Sequence, residues 1–235
     1  LGLSMPFYII GAFALLGTVA SRFILPETKA VRGHASSMNW RYLVSGHIGT
    51  IAIANLFFIA GCYGIYSIIG FHVQDRFVLA PQEAAQMMGL GLMSAAASNV
   101  VAQALVIRRF KLSPRVLLLA AAPMVLVAFA VLAVTENKGL YFASMALNGF
   151  GQGLAGPAFA AALSLSVGAG EQGRIAGVSS SLQAMAFLIG PFSAAALYQY
   201  HPPIVFIIGC VLVFASLPVF LTVARRAAAG HENLN

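Results

Sequence analysis

Apolar and polar residues follow one another in long blocks along this chain. Seven apolar runs, at about 1–21, 47–70, 84–107, 116–134, 140–167, 175–198 and 204–224, contain no Asp, Glu, Lys or Arg. From the second run onward each is 19 to 28 residues long, enough for a helix to cross a hydrocarbon core of about 30 Å. A single charge at mid-depth would cost roughly 3 kcal/mol on insertion scales. The pattern predicts an all-α, polytopic membrane helical bundle.

The stretches between runs hold the charges. The longest, 22–46, reads as a linker, and its 38–43 portion, with Trp40 and Tyr42, suits a short amphipathic helix lying at the interface. The others, at 71–83, 108–115, 135–139, 168–174 and 199–203, are brief, so the runs they join must pack as antiparallel neighbours. The expected organisation is one helix (1–21), a linker (22–46), a compact bundle of six (47–224) and a tail (225–235). The chain opens on Leu1 without a charged leader or cleavage site, so 1–21 reads as the tail of an earlier helix and the sequence as a fragment.

Composition changes this picture little: 60% of residues are hydrophobic and 8% charged, against about 25% charged in soluble domains. The net charge of +7 reports orientation. If connections alternate sides, eleven Lys and Arg fall on one side and only Arg76 and Lys138 on the other. That bias makes the first side cytoplasmic, with the N-terminus outside and the C-terminus inside. Nucleic acid is excluded as a partner; the lipid bilayer is the first one. Cys62 and Cys210 lack metal-ligand spacing and read as small buried hydrophobes. No metal or cofactor is called for.

With carboxylates absent at depth, neutral polar groups carry the remaining chemistry. Asn99 and Gln103, Asn148 and Gln152, and Ser179 and Gln183 are each spaced i,i+4, and Asn55, Cys62 and Tyr66 share a stripe on the second run. An amide in hydrocarbon must find a partner, so these faces point inward. They serve either interhelical hydrogen bonds, worth about 0.6–2 kcal/mol each, or a shared polar cavity. No buried base accompanies the many serines, which argues against catalysis and for a non-enzyme. Gly149–Gly153 and Gly173–Gly177 have the spacing of close helix contacts. Pro157 and Pro191, beside Gly153, Gly156 and Gly190, should bend their helices or serve tight packing. Glu83 suits a helix N-terminus. His72 and His47 are placed at the two interfaces, and Asp75–Arg76 in an external turn with a local ion pair.

Three segments carry a family resemblance: FHVQDRF (71–77), the basic loop RRFKLSPR (108–115), and GFGQGLAGPAFAAALS (149–164) followed by EQGRIAGVSSSLQAMAFLIGP (171–191). With the helix plan, they resemble the C-terminal six-helix half of a major facilitator superfamily transporter plus one preceding helix, closest to bacterial drug–proton antiporters of the tetracycline-efflux type. The basic loop lacks the acidic residue of the family's full motif. The resemblance implies that 1–21 is the last transmembrane helix of an N-terminal half, a second partner whose acidic residues would couple protons. It implies a cavity between the second, third, fifth and sixth runs, where Asn55, Tyr66, Asn99, Asn148, Gln152 and Gln183 face a small-molecule substrate. Phe58, Tyr63 and Phe187 would add aromatic contact, and Arg108, Arg109, Lys111, Glu171 and Arg174 would lie on cytoplasmic loops. The implied activity is proton-coupled efflux of a small amphipathic compound across a bacterial inner membrane. Uptake of a sugar, siderophore or organic anion, or a non-transporting sensor or assembly protein, are the alternatives.

Overall fold

The computed structural model describes residues 5–24, 46–110 and 112–232. Among these there is no strand: they form seven helices, and short turns join the last six. It divides into two compact units, Leu1–Ser37 and Met38–Asn235.

The first unit holds α1, Met5–Ile24. Its 20 residues give a length of about 30 Å. The hydroxyls of Thr18 and Ser21 bond back to the carbonyls of Ala14 and Thr18, so their polarity is satisfied within the helix. The linker expected over 22–46, with its amphipathic 38–43 segment, lies outside the described residues beyond Ile24 and short of Gly46, as does Lys111.

The second unit is the bundle: α2 (His47–Phe77), α3 (Pro81–Phe110), α4 (Pro114–Val134), α5 (Lys138–Leu165), α6 (Gln172–Tyr198) and α7 (Pro202–Glu232). Local chemistry sets the starts. Pro81 and Pro114 occupy the first turns of α3 and α4, where a missing N–H costs nothing. Glu83 lies in the first turn of α3, at the positive end of the helix dipole. The Asn137 side chain accepts from the Leu140 N–H at 3.2 Å and caps α5. Toward its C-terminal end α3 passes through a π-helical turn, Ala102–Ile107.

Packing follows small residues. The most extensive contacts join α4 with α5, α2 with α6 and α7, and α3 with α5. A methyl at Gly149 would run into the Ala95 backbone of α3, and one at Gly153 would lie 2.7 Å from the Asn99 carbonyl oxygen. A methyl at Gly190 would lie 2.6 Å from the Ala60 carbonyl oxygen, so α6 and α2 also touch backbone to backbone. Close approach of this kind gives helices in lipid their dispersion contacts. Gly173 and Gly177, expected to be a second contact pair, face open space instead.

α2, α3, α4 and α6 are each long and apolar enough to cross a membrane. α5 falls short in hydropathy because of Asn148, Gln152 and its glycines, yet it buries Tyr141, Met145, Leu154 and Phe159 among its neighbours. A span shielded by other helices does not itself have to be apolar toward lipid. α2 is mostly buried, whereas α3 and α6 are mostly exposed.

At the end opposite Arg108, Arg109 and Arg174, α2 continues to Phe77, past the predicted end at 70. Its charges protrude there, so a rule that stops at the first charge cuts the helix short. Asp75 and Arg76 lie in its last turn and make no local pair. Arg76 donates to the Val134 carbonyl at 2.6 Å and pairs with Glu136 at 3.3 Å, while Asp75 accepts from Tyr198. His72 is buried, not interfacial. Its Nε2 lies 2.9 Å from the Leu132 carbonyl oxygen, which can only accept, so Nε2 carries the proton. His72 and Arg76, one turn apart on α2, thus satisfy carbonyls that the end of α4 leaves without helical partners.

Candidate functional site

A recess of about 230 Å³ lies within the bundle, walled by α2, α3, α5 and α6. α2 contributes Asn55, Phe58, Ile59, Cys62 and Tyr63, and α3 contributes Asn99 and Gln103. α5 adds Gln152 and the stretch from Ala155 to Pro157 with Phe159 and Ala160, and α6 adds Ser179 and Gln183. None of the lining side chains is charged. On α3, α5 and α6 they fall in the half nearer the end that carries Arg108, Arg109 and Arg174, and on α2 they run from Asn55 to the middle of the helix at Tyr63. The recess therefore runs from mid-bundle toward that basic end.

Its floor at mid-bundle is built from the residues one turn further on. The Gln152 amide nitrogen donates to the Tyr66 hydroxyl oxygen at 2.8 Å and to the Asn148 side-chain oxygen at 3.1 Å. Asn148 is fully buried, and its own amide nitrogen has no hydrogen-bond partner. Beside this chain of polar groups, Tyr63 stacks on Phe187, with centroids 3.8 Å apart and planes 30° apart. The Tyr66 ring meets Tyr63 edge-on at 6.2 Å. On the recess wall Phe58 and Phe159 pack at 5.7 Å.

The sequence-predicted residues thus separate into two groups. Asn55, Phe58, Tyr63, Asn99, Gln152 and Gln183 line the recess. Tyr66, Asn148 and Phe187 instead contact lining residues from the floor. Gln103 and Ser179 were not among the residues expected to face substrate, but they line the recess as well. Gln103 donates to Asn99 at 2.7 Å, and Gln183 approaches Ser179 at 3.5 Å. Their i,i+4 spacing was the available signal. Phe159 and Ile59 carried no signal, since an apolar residue on an apolar helix looks the same in core, lipid or cavity.

Of the residues expected to bend helices, Gly153 and Gly190 sit at backbone contacts and Gly156 faces open space beside Pro157. α5 and α6 remain continuous through Pro157 and Pro191. At the basic end Arg108 and Arg109 close α3 in exposed positions. Arg174 pairs with Glu171 at 3.5 Å. Among the described residues no three His, Cys, Asp or Glu side chains gather as metal ligands would.

The family model of the Major Facilitator Superfamily matches residues 1–191. The chain belongs to this superfamily. The helix order and packing agree with it: among solved structures, an auto-inhibited POT family peptide transporter superposes with a TM-score of 0.64 at 20% identity. That match covers 77% of this chain and 37% of the transporter. A second POT peptide transporter, in complex with alafosfalin, gives a TM-score of 0.61 at 18% identity over 80% of this chain and 42% of its own. The chain therefore spans about four-tenths of the length of these superfamily structures. No curated protein matches it. The helical bundle has the fold of this superfamily.

Proposed function

We propose that this chain is part of a secondary transporter that exports a small, uncharged or weakly charged amphipathic compound in exchange for protons, as the tetracycline-efflux type does. The observation that carries the reading is the recess itself. Four helices converge on it, and its wall combines amides with aromatic rings and no charge. Such a lining matches a small-molecule site, apolar with a few placed polar groups. Its volume is below the roughly 300–1,000 Å³ of a complete site, which suits one wall of a cavity shared with a second bundle. The exposed apolar surfaces of α3 and α6 run up to its rim and would seat that partner, the N-terminal half.

On this reading the basic end is cytoplasmic, in a bacterial inner membrane, and the recess faces the cytoplasm, where an exporter loads. Gly156–Pro157 and Gly190–Pro191 would supply bending as the halves rock. Carriage of peptides, the activity in the names of the solved neighbours, finds no charged group in this wall to meet either peptide terminus. Uptake of an organic anion is disfavoured for the same reason.

The test is flux of a neutral dye, Nile red, from cells expressing the full-length protein. Export should stop when an uncoupler collapses the proton gradient, and Asn55→Ala and Gln183→Ala should each slow it about tenfold. Export that persists with the uncoupler present would remove proton coupling. Unchanged rates in both variants would remove the recess from the transport path.

A further inference from the structure

Of the amide side chains that line the recess, only that of Asn55 makes no hydrogen bond among the described residues. Gln103 pairs with Asn99, Gln152 with Tyr66 and Asn148, and Gln183 approaches Ser179. Asn55 is only 3% exposed, so it is not solvated as a surface amide would be. Yet neither its oxygen nor its nitrogen is sealed in, as the Asn148 nitrogen is; both reach the recess that Asn55 lines. Nor does the side chain serve its own helix, as Ser67 of α2 does by bonding back to the Gly64 carbonyl. A polar group buried this deeply needs a partner, and here the partner has to arrive through the recess.

We propose that Asn55 determines specificity in the recess by recognising a neutral planar group that carries an acceptor and an N–H donor side by side, such as a lactam or carboxamide. This deepens the transporter reading and rests on it. An amide edge presents one acceptor beside one donor, and its complement is another such edge. The match holds whichever way the Asn55 amide is turned: turning it exchanges the two atoms, and a planar ligand turned over exchanges its own. Because so little of Asn55 is exposed, a ligand group that reaches it displaces water from both atoms together. A group that restores one bond leaves the other atom unpaired, which polar sites penalise strongly. Phe58, one turn further along α2, packs against Phe159 at 5.7 Å in the same wall and offers the ligand's ring an apolar surface. An ion fits less well, because no charged side chain lines the recess to balance its desolvation.

The test uses four quinoline-derived probes binding to the full-length protein in nanodiscs, read by saturation-transfer NMR with empty nanodiscs as control. 2-Quinolone carries C=O beside N–H, N-methyl-2-quinolone keeps only the acceptor, and tetrahydroquinoline keeps only the donor. Protonated 2-aminoquinoline presents two N–H groups side by side. 2-Quinolone should bind about tenfold tighter than either one-sided probe, equivalent to about 1.4 kcal/mol, although both are more hydrophobic. Asn55→Ala should abolish that preference without lowering the unfolding midpoint, a pattern that a merely structural amide would not produce. Asn55→Asp places two acceptors on the same edge and should gain binding of protonated 2-aminoquinoline, an outcome that misfolding cannot mimic. Equal binding of the first three probes to the unmodified protein would overturn the inference. So would a 2-quinolone preference that survives Asn55→Ala, or a monodisperse Asn55→Asp protein without the gain. Each of these leaves the transporter reading standing, since Nile red export tests that separately. Failure of all four probes to bind the unmodified protein would remove the recess as a binding site and this inference with it.

Discussion

The Tyr198 hydroxyl donates to a carboxylate oxygen of Asp75 at 2.7 Å, joining the last residue of α6 to the last turn of α2 across 123 positions of sequence. Phe71 packs against the same tyrosine ring, with centroids 6.4 Å apart. Together with the bonds of His72 and Arg76 to carbonyls of α4, this makes the end of α2 the tie between α4 and α6 at the end of the bundle opposite Arg108 and Arg109. Tyr198→Phe keeps the ring contact and removes the bond. We expect it to cost about 1 kcal/mol, seen as a lower unfolding midpoint of the full-length protein in detergent, with Asp75→Asn costing less because an amide oxygen still accepts.

Arg76 separates a hydrogen-bonding role from a charge role. Glu136 is largely exposed, so its ion pair contributes well under 1 kcal/mol, as surface pairs do. The Val134 carbonyl contact is the stronger one. Glu136→Gln should therefore leave stability nearly unchanged, whereas Arg76→Ala should lower it measurably at both low and high salt. A strong salt dependence of the Arg76→Ala effect would contradict this assignment.

The glycines divide by what lies opposite. Gly149→Ala drives a methyl into the Ala95 backbone, which cannot move aside as a side chain can. The cost should be about 1–3 kcal/mol or more, read as loss of monodisperse protein in size-exclusion chromatography. Gly177→Ala meets nothing and should stabilise α6 by about 0.5–1 kcal/mol through helix propensity. Equal behaviour of the two variants would argue against the α3–α5 crossing described above.

Tyr141 is wholly buried and its hydroxyl has no partner. Removing an unpaired buried hydroxyl is neutral or favourable, so Tyr141→Phe should match or exceed the parent in thermal stability. The ring must stay, because it packs against Phe77 and Phe142; Tyr141→Ala should cost about 3–5 kcal/mol.

Val78 follows α2 with φ of 50°, a left-handed conformation that is unfavourable for a β-branched residue. Its N–H nevertheless bonds to the Gln74 carbonyl and ends the helix. Val78→Gly keeps that bond and relieves the strain, so it should raise stability by about 1 kcal/mol. A fall in the unfolding midpoint would instead mean that the side chain contributes at this exposed position.

Much of the fold was legible before any coordinates. Charge-free runs of spanning length define helices because the bilayer leaves the backbone few other options, and short connections force neighbours antiparallel. The i,i+4 amide pairs announced inward faces for the same reason. The ends were less legible: α2 continues through Asp75 and Arg76 because both find partners on other helices. Gly149–Gly153 and Gly173–Gly177 have identical spacing, yet only the first pair meets a neighbouring backbone.

From its residues alone the chain determined that it is a bundle of membrane helices with uncharged polar stripes turned inward, because burying backbone and amides in hydrocarbon admits little else. Which amides would share one recess, and which would close its floor, was decided only by tertiary structure. Tyr66 and Gln152 are 86 residues apart, and Gln152 is committed toward Tyr66 and Asn148 only once α2 and α5 are packed together. A stripe fixes the angle around a helix axis; the depth and identity of what it meets depend on how two helices cross, and that is set by backbone contacts such as Gly149 on Ala95, for which sequence spacing names the residue but never the partner.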